Sequence, residues 1–370
     1  RYDFTAAARF FDEALRFDPG NLGLRRDLMI ALVSDGQIDA AVPHAEALKD
    51  EAGADRLSRL VLGVSAIGDN RYLDANALLS QSASNDLEQL MAGIMRAWAM
   101  HGAGDTEGAL ALVDQLDGPD WYGLFTSYHG ALIADAAGWD EQAQSRYEAG
   151  IDDQTGGSAS PLTYLRLAEA GARFMARNGR LAQARAVIER GLETAPNNPD
   201  MLALAANVDT PAGSRNMIDT PQKGTAEILL NLGSAINRDG AEDFAALYLE
   251  LGRALWPDNA QALFELGGIA EVLGQTDKAI RYYASVPSDS PLAHISALQR
   301  GLALSDLDRN DEAKAQLLGL SLTDVARQME AGLAGVVGGS MVEGTETLPV
   351  RVRLGPDTRG DLRVIADLPI

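Results

Sequence analysis

The chain contains no cysteine among its 370 residues. This absence excludes disulfide bonds, thiolate nucleophiles and zinc sites built on cysteine. A lack of cysteine fits an exported protein that avoids mispaired thiols, although cytosolic proteins can also lack it. Aromatic residues are few as well, at 6% of the sequence. Alanine, leucine and glycine are abundant instead, and this composition favours closely packed helices.

Basic residues are scarce, with 31 Lys and Arg against 53 Asp and Glu and a formal net charge of −22. Nucleic-acid backbones and anionic membrane surfaces require clustered positive charge, so we expect neither as a partner. The acidic surface steers a basic protein or peptide toward the chain, or it serves solubility alone. Because no apolar run approaches the roughly 20 residues of a membrane helix, we expect no direct membrane insertion.

Motifs that carry chemistry are missing too. No two of the four histidines have the spacing of a metal site; they are His44, His101, His129 and His294. Ser340 lacks the second glycine of a nucleophile elbow, because Val342 stands in its place. No glycine-rich phosphate loop is present. We therefore expect no enzyme, no cofactor and no bound metal.

What the sequence does contain is a repeat of 34 residues. Alanine recurs at this interval at Ala7, Ala41, Ala75, Ala109 and Ala143, and again at Ala245, Ala279 and Ala313, with Ala184 out of phase between the two sets. Glycines precede most of these alanines, at Gly36, Gly104, Gly138, Gly179, Gly240 and Gly274. The period predicts pairs of antiparallel helices, in which glycine ends the first helix at positive φ and alanine lets the second helix approach it.

Larger residues and prolines complete each repeat. A large residue follows the alanine by four positions and is predicted to fill the groove toward the next pair: Phe11, Leu79, Val113, Tyr147, Ile188, Leu249 and Tyr283. Pro19, Pro196 and Pro257 are predicted to end second helices. The opening stretch from Phe4 to Pro19 then is a second helix whose first helix lies upstream. Its apolar face should rest on residues 22–48.

This spacing resembles the tetratricopeptide repeat over residues 1–320. Gln261 to Pro287 matches the pattern of that family with Leu266, Gly267, Gly274, Ala279 and Tyr283, and a second match carries Leu232, Gly233, Gly240, Ala245 and Pro257. The resemblance implies an all-α fold, a right-handed superhelix of antiparallel helix pairs. It also implies a groove, lined by the first helix of each pair, that binds proteins or peptides.

Two interruptions divide the predicted array. Residues 152–163 are predicted to be a short loop that lengthens one unit. Residues 206–225 have no helical period and are predicted to connect an N-terminal array, 1–205, to C-terminal units, 226–320. A linker is the favoured interpretation of this connection, and a functional loop is the alternative.

The last fifty residues, 321–370, do not repeat. A helix is expected from Ser321, then a strand in which Val350, Val352 and Leu354 alternate with arginines, then a short helix from Thr358 to Ala366. This stretch resembles a periplasmic porter-domain segment of resistance-nodulation-division efflux pumps. The predicted strand has no evident partner in its own chain, so residues 348–354 are expected to pair with another chain, to fold back poorly, or to belong to a fusion.

We therefore expect a non-catalytic scaffold that binds a protein or peptide in a bacterial cell envelope, with a periplasmic location. An accessory or fused component of an efflux system is the alternative, which rests on the tail alone; a cytoplasmic location also stays open. The candidate groove residues are Arg25, Met29, Arg59, Arg96, Met100, Leu229, Ile236 and Leu263, together with the aromatic cluster of Trp121, Tyr122 and Tyr128.

Overall fold

The computed structural model describes residues 3–237, 240–317, 336–343 and 346–352. The chain divides into two compact units, Arg1–Gly274 and Gln275–Ile370. The helices of the first unit are α1 Phe4–Phe17, α2 Leu22–Ser34, α3 Ile38–Leu48, α4 Asp55–Gly68, α5 Tyr72–Leu79, α6 Asp86–Gly102, α7 Thr106–Asp114, α8 Tyr122–Ala136, α9 Asp140–Asp152, α10 Gln154–Ala159, α11 Pro161–Arg177, α12 Leu181–Thr194, α13 Pro199–Asn207, α14 Pro221–Ile236, α15 Glu242–Leu255 and α16 Ala260–Val272. Those described in the second unit are α17 Thr276–Ser285, α18 Ala293–Asp306 and α19 Asn310–Leu317.

Neighbouring helices of the first unit pack as pairs, and the pairs pack on one another in chain order. The pairs are α2–α3, α4–α5, α6–α7, α8–α9, α11–α12 and α14–α15. The second helix of one pair also contacts the first helix of the next, as α3 does with α4 and α5 with α6. The opening helix α1 packs against α2. The predicted array of helix pairs is thus confirmed in the described part of the repeat, while its right-handed superhelical turn stays a prediction.

The turns between paired helices hold the conformation that the glycines predict. All six predicted turn glycines have positive φ, between 71° and 92°. Asn70 and Asp308, with φ of 60° and 57°, stand at the corresponding positions of the α4–α5 and α18–α19 turns, 34 residues from Gly36 and from Gly274. Asn and Asp tolerate left-handed backbone better than other non-glycine residues. The period therefore continues through two turns that contain no glycine.

The repeat alanines lie where helices approach most closely. Ala41, Ala75, Ala109 and Ala143 are fully buried, and so are Ala184, Ala245 and Ala279. The large residues four positions later are buried as well, with Phe11 half-buried at the start of the array. This is the arrangement that the spacing predicts.

Three proline turns stop one helix and cap the next. Pro19, Pro196 and Pro257 each follow the end of a helix, and an asparagine stands two residues later in each case. The side chains of Asn21, Asn198 and Asn259 accept hydrogen bonds from the backbone amides of Leu24, Met201 and Ala262, at 3.0, 2.9 and 3.2 Å. These bonds satisfy amides in the first turn of α2, α13 and α16 that have no partner within the helix.

The two predicted interruptions are shorter than expected. Residues 152–163 contain the short helix α10, because the Asp153 side chain accepts a 2.8 Å hydrogen bond from the Gly156 amide and so caps it. The connection between α13 and α14 covers residues 208–220 only, and Ile218 within it is fully buried. The helices beyond that connection, α14 to α16, belong to the first unit, so the structure draws its boundary at Gly274 rather than at 206–225.

The described part of the tail is a strand pair. Strand β1, Val336–Glu343, pairs antiparallel with β2, Glu346–Val352, and Val336 lies opposite Val352. The predicted strand therefore has a partner in its own chain, and the expectation that it has none is wrong. Strand β1 was not predicted because its sequence, VVGGSMVE, does not alternate apolar and polar residues. Pairing of 348–354 with another chain stays a prediction. The expected helices from Ser321 and from Thr358 to Ala366 lie outside the described residues.

Replacing Gly104 by alanine should lower the free energy of unfolding by about 1 to 2 kcal/mol, because its φ of +92° is left-handed while no atom lies within 4 Å of an added Cβ. Backbone strain is then the only cost. Urea denaturation followed by circular dichroism measures the change.

Gly20→Ala is the matched control, since an added Cβ meets nothing within 4 Å and its φ is not left-handed. It should be neutral or slightly stabilising. Equal losses in the two variants would contradict the assignment of the turn.

Candidate functional site

The first helices of the first five pairs, α2, α4, α6, α8 and α11, form the row that the resemblance predicts to be a peptide groove. We call these five helices the A-helix row. In the structure this row is covered by the chain itself. Helix α14 packs against α4, α6, α8 and α11, and α15 packs against α2 and α4. The side chains of Ile228, Leu229 and Leu232 on α14 are fully buried there.

Local chemistry places the start of α14 on the row. The Thr220 hydroxyl caps the helix by accepting from the Lys223 amide at 3.2 Å, and Pro221 occupies the first turn. Gln222 donates to the backbone carbonyl of Ile67 on α4 at 2.9 Å. Gly224 lies so close to the Trp98 ring on α6 that a Cβ would stand 2.0 Å from it. Glycine is therefore required at this crossing of α14 and α6.

A buried ion pair fixes α14 further along. The Glu227 carboxylate, fully buried, accepts hydrogen bonds from Nε and Nη2 of Arg166 on α11 at 2.9 and 2.6 Å. It also accepts from the Tyr128 hydroxyl on α8 at 3.0 Å and from the Asn231 amide at 3.2 Å. Four donors thus surround one carboxylate, which is the condition for burying a charge at tolerable cost.

The hydrogen bonds continue from Asn231 to α8 and α6. The Trp98 indole N–H can only donate, so Nδ1 of His129 accepts from it at 3.2 Å. Nε2 of His129 then carries the proton and donates to the Asn231 Oδ1 at 3.2 Å. Trp98, His129, Asn231 and Glu227 are all fully buried. We call these four residues, with Tyr128 and Arg166, the Glu227 network.

The protonation states follow from burial and charge. Burial alone would raise the pKa of Glu227, but the Arg166 guanidinium and its hydrogen bonds hold that pKa below the usual value. Burial lowers the pKa of His129 from 6.5 to about 4, against the opposing effect of Glu227. The imidazole is therefore neutral at pH 7, as its two hydrogen bonds require.

A second set of charges borders the network on α11. Arg173 donates to the Glu169 carboxylate at 2.8 Å and to the carbonyl of Gly213 at 2.9 Å, which ties the 208–220 connection to α11. Asp200 on α13 lies nearby. Burial first, and then the charge of Glu169, raise the pKa of Asp200 from 3.8 to about 6.

The candidate groove residues separate into two groups. Five are buried in the core of the first unit and expose almost no surface to a partner: Met29, Tyr122, Tyr128, Leu229 and Leu263. Six are half-buried: Arg25, Arg59, Arg96, Met100, Trp121 and Ile236. Tyr128 on α8 and Leu229 on α14 itself both belong to the core that forms where α14 packs on the row. The predicted contact of all eleven with a partner stays a prediction.

Several half-buried candidates already have partners in the chain. Arg25 donates to the Pro19 carbonyl at 2.9 Å, Arg59 pairs with Asp50 at 3.2 Å, and Arg96 donates to Asn76 at 2.9 Å. The Trp121 ring meets the Tyr122 and Phe125 rings edge-on, with centroids 4.8 and 5.8 Å apart. These contacts hold the side chains in place. We call the half-buried candidates Arg25, Arg59, Arg96, Met100 and Trp121 the rim residues.

Of the residues in the Glu227 network, only Tyr128 was among the sequence-based candidates, and it was expected to meet a partner rather than Glu227. Glu227 and Arg166 lie 61 positions apart, so no local spacing connects them. One signal was available: Glu227 and Asn231 are polar residues within the apolar run of α14, four positions apart and hence on one face of the helix.

Two other kinds of site receive no support from the described residues. Within ranges 3–237 and 240–317, no three His, Asp or Glu side chains are grouped so that they could hold a metal ion. No helix in the described part of the chain has both the length and the apolar character to cross a membrane.

Comparison with known proteins gives solved structures but no family. No family model and no curated protein matches the sequence. A chain of the APC/C hetero-tetramer Cut9–Hcn1 is 15% identical with a TM-score of 0.33, over 81% of this chain and 52% of that one. The TPR domain of P58(IPK) is 14% identical with a TM-score of 0.24, over 83% and 94%. Yeast Tom70 is 12% identical with a TM-score of 0.22, over 89% of both chains. Our chain spans about half the length of the Cut9–Hcn1 chain. At these scores the likeness carries no argument.

Replacing Arg166 by methionine should cost about 3 to 5 kcal/mol of unfolding free energy, because Glu227 is then buried without its counter-ion. Adding Glu227→Leu to that variant should restore most of the loss, since an apolar pair of similar volume needs no solvation. Guanidinium denaturation of the single and double variants measures both effects.

Arg16→Met serves as control, because Arg16 pairs with Asp12 at 2.7 Å on an exposed helix face. Its cost should stay below about 1 kcal/mol. If Arg166→Met were no more costly than this control, the Glu227 network would not anchor α14.

Between pH 6.5 and 4, the free energy of unfolding should fall more steeply with decreasing pH in the native chain than in His129→Gln. The folded imidazole stays neutral down to a pKa of about 4, whereas the unfolded one binds a proton near pH 6.5. Its contribution is complete above pH 6.5 and is lost as the pH falls to 4, by about 3 kcal/mol.

Asp200 has the opposite effect on the pH dependence of stability, because its raised pKa makes the folded chain bind a proton at higher pH than the unfolded chain. Both the native chain and His129→Gln contain Asp200, so its effect is the same in the two. The difference between their pH–stability curves, from denaturant titrations at each pH, therefore isolates His129. Parallel curves would show that the pKa of His129 is the same in the folded and the unfolded chain, and would contradict the predicted shift.

Proposed function

We propose that this protein is a non-catalytic scaffold of the tetratricopeptide-repeat type that binds a protein or peptide partner. The observation that carries the proposal is the seating of α14 on the A-helix row. A surface built from stacked helix pairs holds a 16-residue helix through buried apolar side chains and three hydrogen bonds to Glu227, two from Arg166 and one from Tyr128. This is the chemistry by which grooves of helical proteins recognise helices.

The partner is proposed to contact the part of the row that α14 and α15 leave accessible. Buried candidates such as Met29 and Tyr128 already belong to the core, so the rim residues Arg96, Met100 and Trp121 are the proposed contacts. The net charge of −22 supports a basic partner, since complementary charge accelerates encounter.

The cell envelope remains the proposed location, and fractionation of the tagged native protein tests it. The efflux alternative gains no supporting observation. It rests on residues 321–370, and most of these lie outside the described residues; the strand pair β1–β2 alone indicates no transport activity.

A photoreactive amino acid placed at Met100 should cross-link one protein in cells, whereas the same group at Gln142 should not. Gln142 is exposed on α9, a second helix away from the row. The cross-linked protein is then purified, and its affinity for the native chain and for Met100→Glu is measured by fluorescence anisotropy.

Burial of a charge in the contact should weaken binding by at least about tenfold, and added salt should weaken it if the partner is basic. Identical cross-links at both positions, or an unchanged affinity of Met100→Glu, would remove the proposed surface.

A further inference from the structure

The second unit contains a cavity that the A-helix row does not share. It has a volume of about 270 Å³ and lies among the end of α17, the 286–292 turn, α18 and α19. Its polar lining includes Tyr283, Ser288, His294, Arg300 and Gln316. We call it the Arg300 cavity.

Arg300 is the central cation of this cavity. Its Nη1 donates to Oε1 of Gln316 at 3.0 Å. Its Nε–H is buried and has no hydrogen-bond acceptor among the described residues. A buried N–H without an acceptor is costly, because water is lost and nothing replaces it. Arg300 therefore lines the cavity and retains one buried N–H donor without an acceptor.

Arg300 forms no ion pair in the described part of the chain, although its charge, after that of Arg309, helps to lower the pKa of Glu312. None of the nine lining residues is an Asp or Glu, although the whole chain carries 53 of them. The carboxylate of Glu312 on α19 is engaged by Arg309, at 2.8 and 2.7 Å from Nε and Nη2. Arg300 itself has no ion-pair partner among residues 3–237 and 240–317.

Two neutral side chains of the lining, Gln316 and Ser288, can act as further donors. Because Gln316 Oε1 accepts from Arg300, its Nε2 amide remains a donor at the cavity wall. The Ser288 hydroxyl lines the opposite turn. A guanidinium edge with amide and hydroxyl donors matches the oxygen atoms of a carboxylate or phosphate group.

We propose that the Arg300 cavity binds an oxyanion, a carboxylate or a phosphate group, with Arg300 as the charged donor and Gln316 as the second. This inference is independent of the proposed scaffold function, because it concerns the second unit alone. The volume admits a small acid or the charged end of a larger ligand.

Titration of the full chain with acetate and, separately, with inorganic phosphate tests the site. The methyl groups of Ala293 and Ala297 line the cavity, so alanine-methyl NMR shifts report its occupation. Saturable shifts at these two methyls are expected with at least one anion at constant ionic strength. The tighter of the two anions tells whether the natural group is a carboxylate or a phosphate.

Arg300→Gln should weaken binding by at least about tenfold, since it removes the charge but keeps an amide donor. Arg281→Gln is the matched control, an exposed arginine on α17 that does not line the cavity; its affinity should stay within about twofold. Absence of saturable shifts in the native chain, or equal weakening in both variants, would overturn the proposal. The native titration decides the matter even if Arg300→Gln fails to fold.

Discussion

The carboxylate of Glu227 constrains the whole first unit. A charge this deeply buried is tolerable only where donors meet it, and its four donors come from α8, α11 and α14 itself. Sliding α14 by one turn along the row would leave Glu227, Asn231 and Arg166 buried without partners. Apolar contact alone would tolerate several registers. The polar network therefore selects one of them, and the A-helix row becomes part of the core.

This closure changes where a partner can bind. In an array whose helix pairs meet only their neighbours, the first helices line an open groove. Here α14 and α15 contact all five helices of the row. Met29 and Tyr128 are buried in the core, so they contribute to the stability of the chain. This is why the proposed contact surface comprises half-buried residues such as Arg96 and Met100.

The 34-residue period predicted those structural features that depend on residues close together in the chain. The turn conformations, buried alanines and terminating prolines recur because every helix pair has the same local packing. The turn at Asn70 follows the 34-residue period as well, although it contains no glycine from which the sequence could have predicted it. The packing of α14 against the A-helix row could not be predicted from the period. Helix α14 contacts the row through the pair of Arg166 and Glu227, which are 61 residues apart. A repeat pattern predicts contacts between neighbouring helix pairs only, so it cannot predict this one. For the same reason, the loss of the repeat period at 206–225 was interpreted as a connection between two arrays.

Two arginines, Arg166 and Arg300, show how a structural contact differs from a proposed binding site in this chain. Arg166 meets a carboxylate of its own chain through two parallel hydrogen bonds, so its charge is spent on holding α14. Arg300 donates to a neutral amide and forms no ion pair among residues 3–237 and 240–317, while the Glu312 carboxylate is held by Arg309. Folding selects against uncompensated buried donors, because each lowers a small net stability. An arginine that keeps such a donor at the wall of a cavity is therefore best explained by an acceptor that arrives from outside the chain.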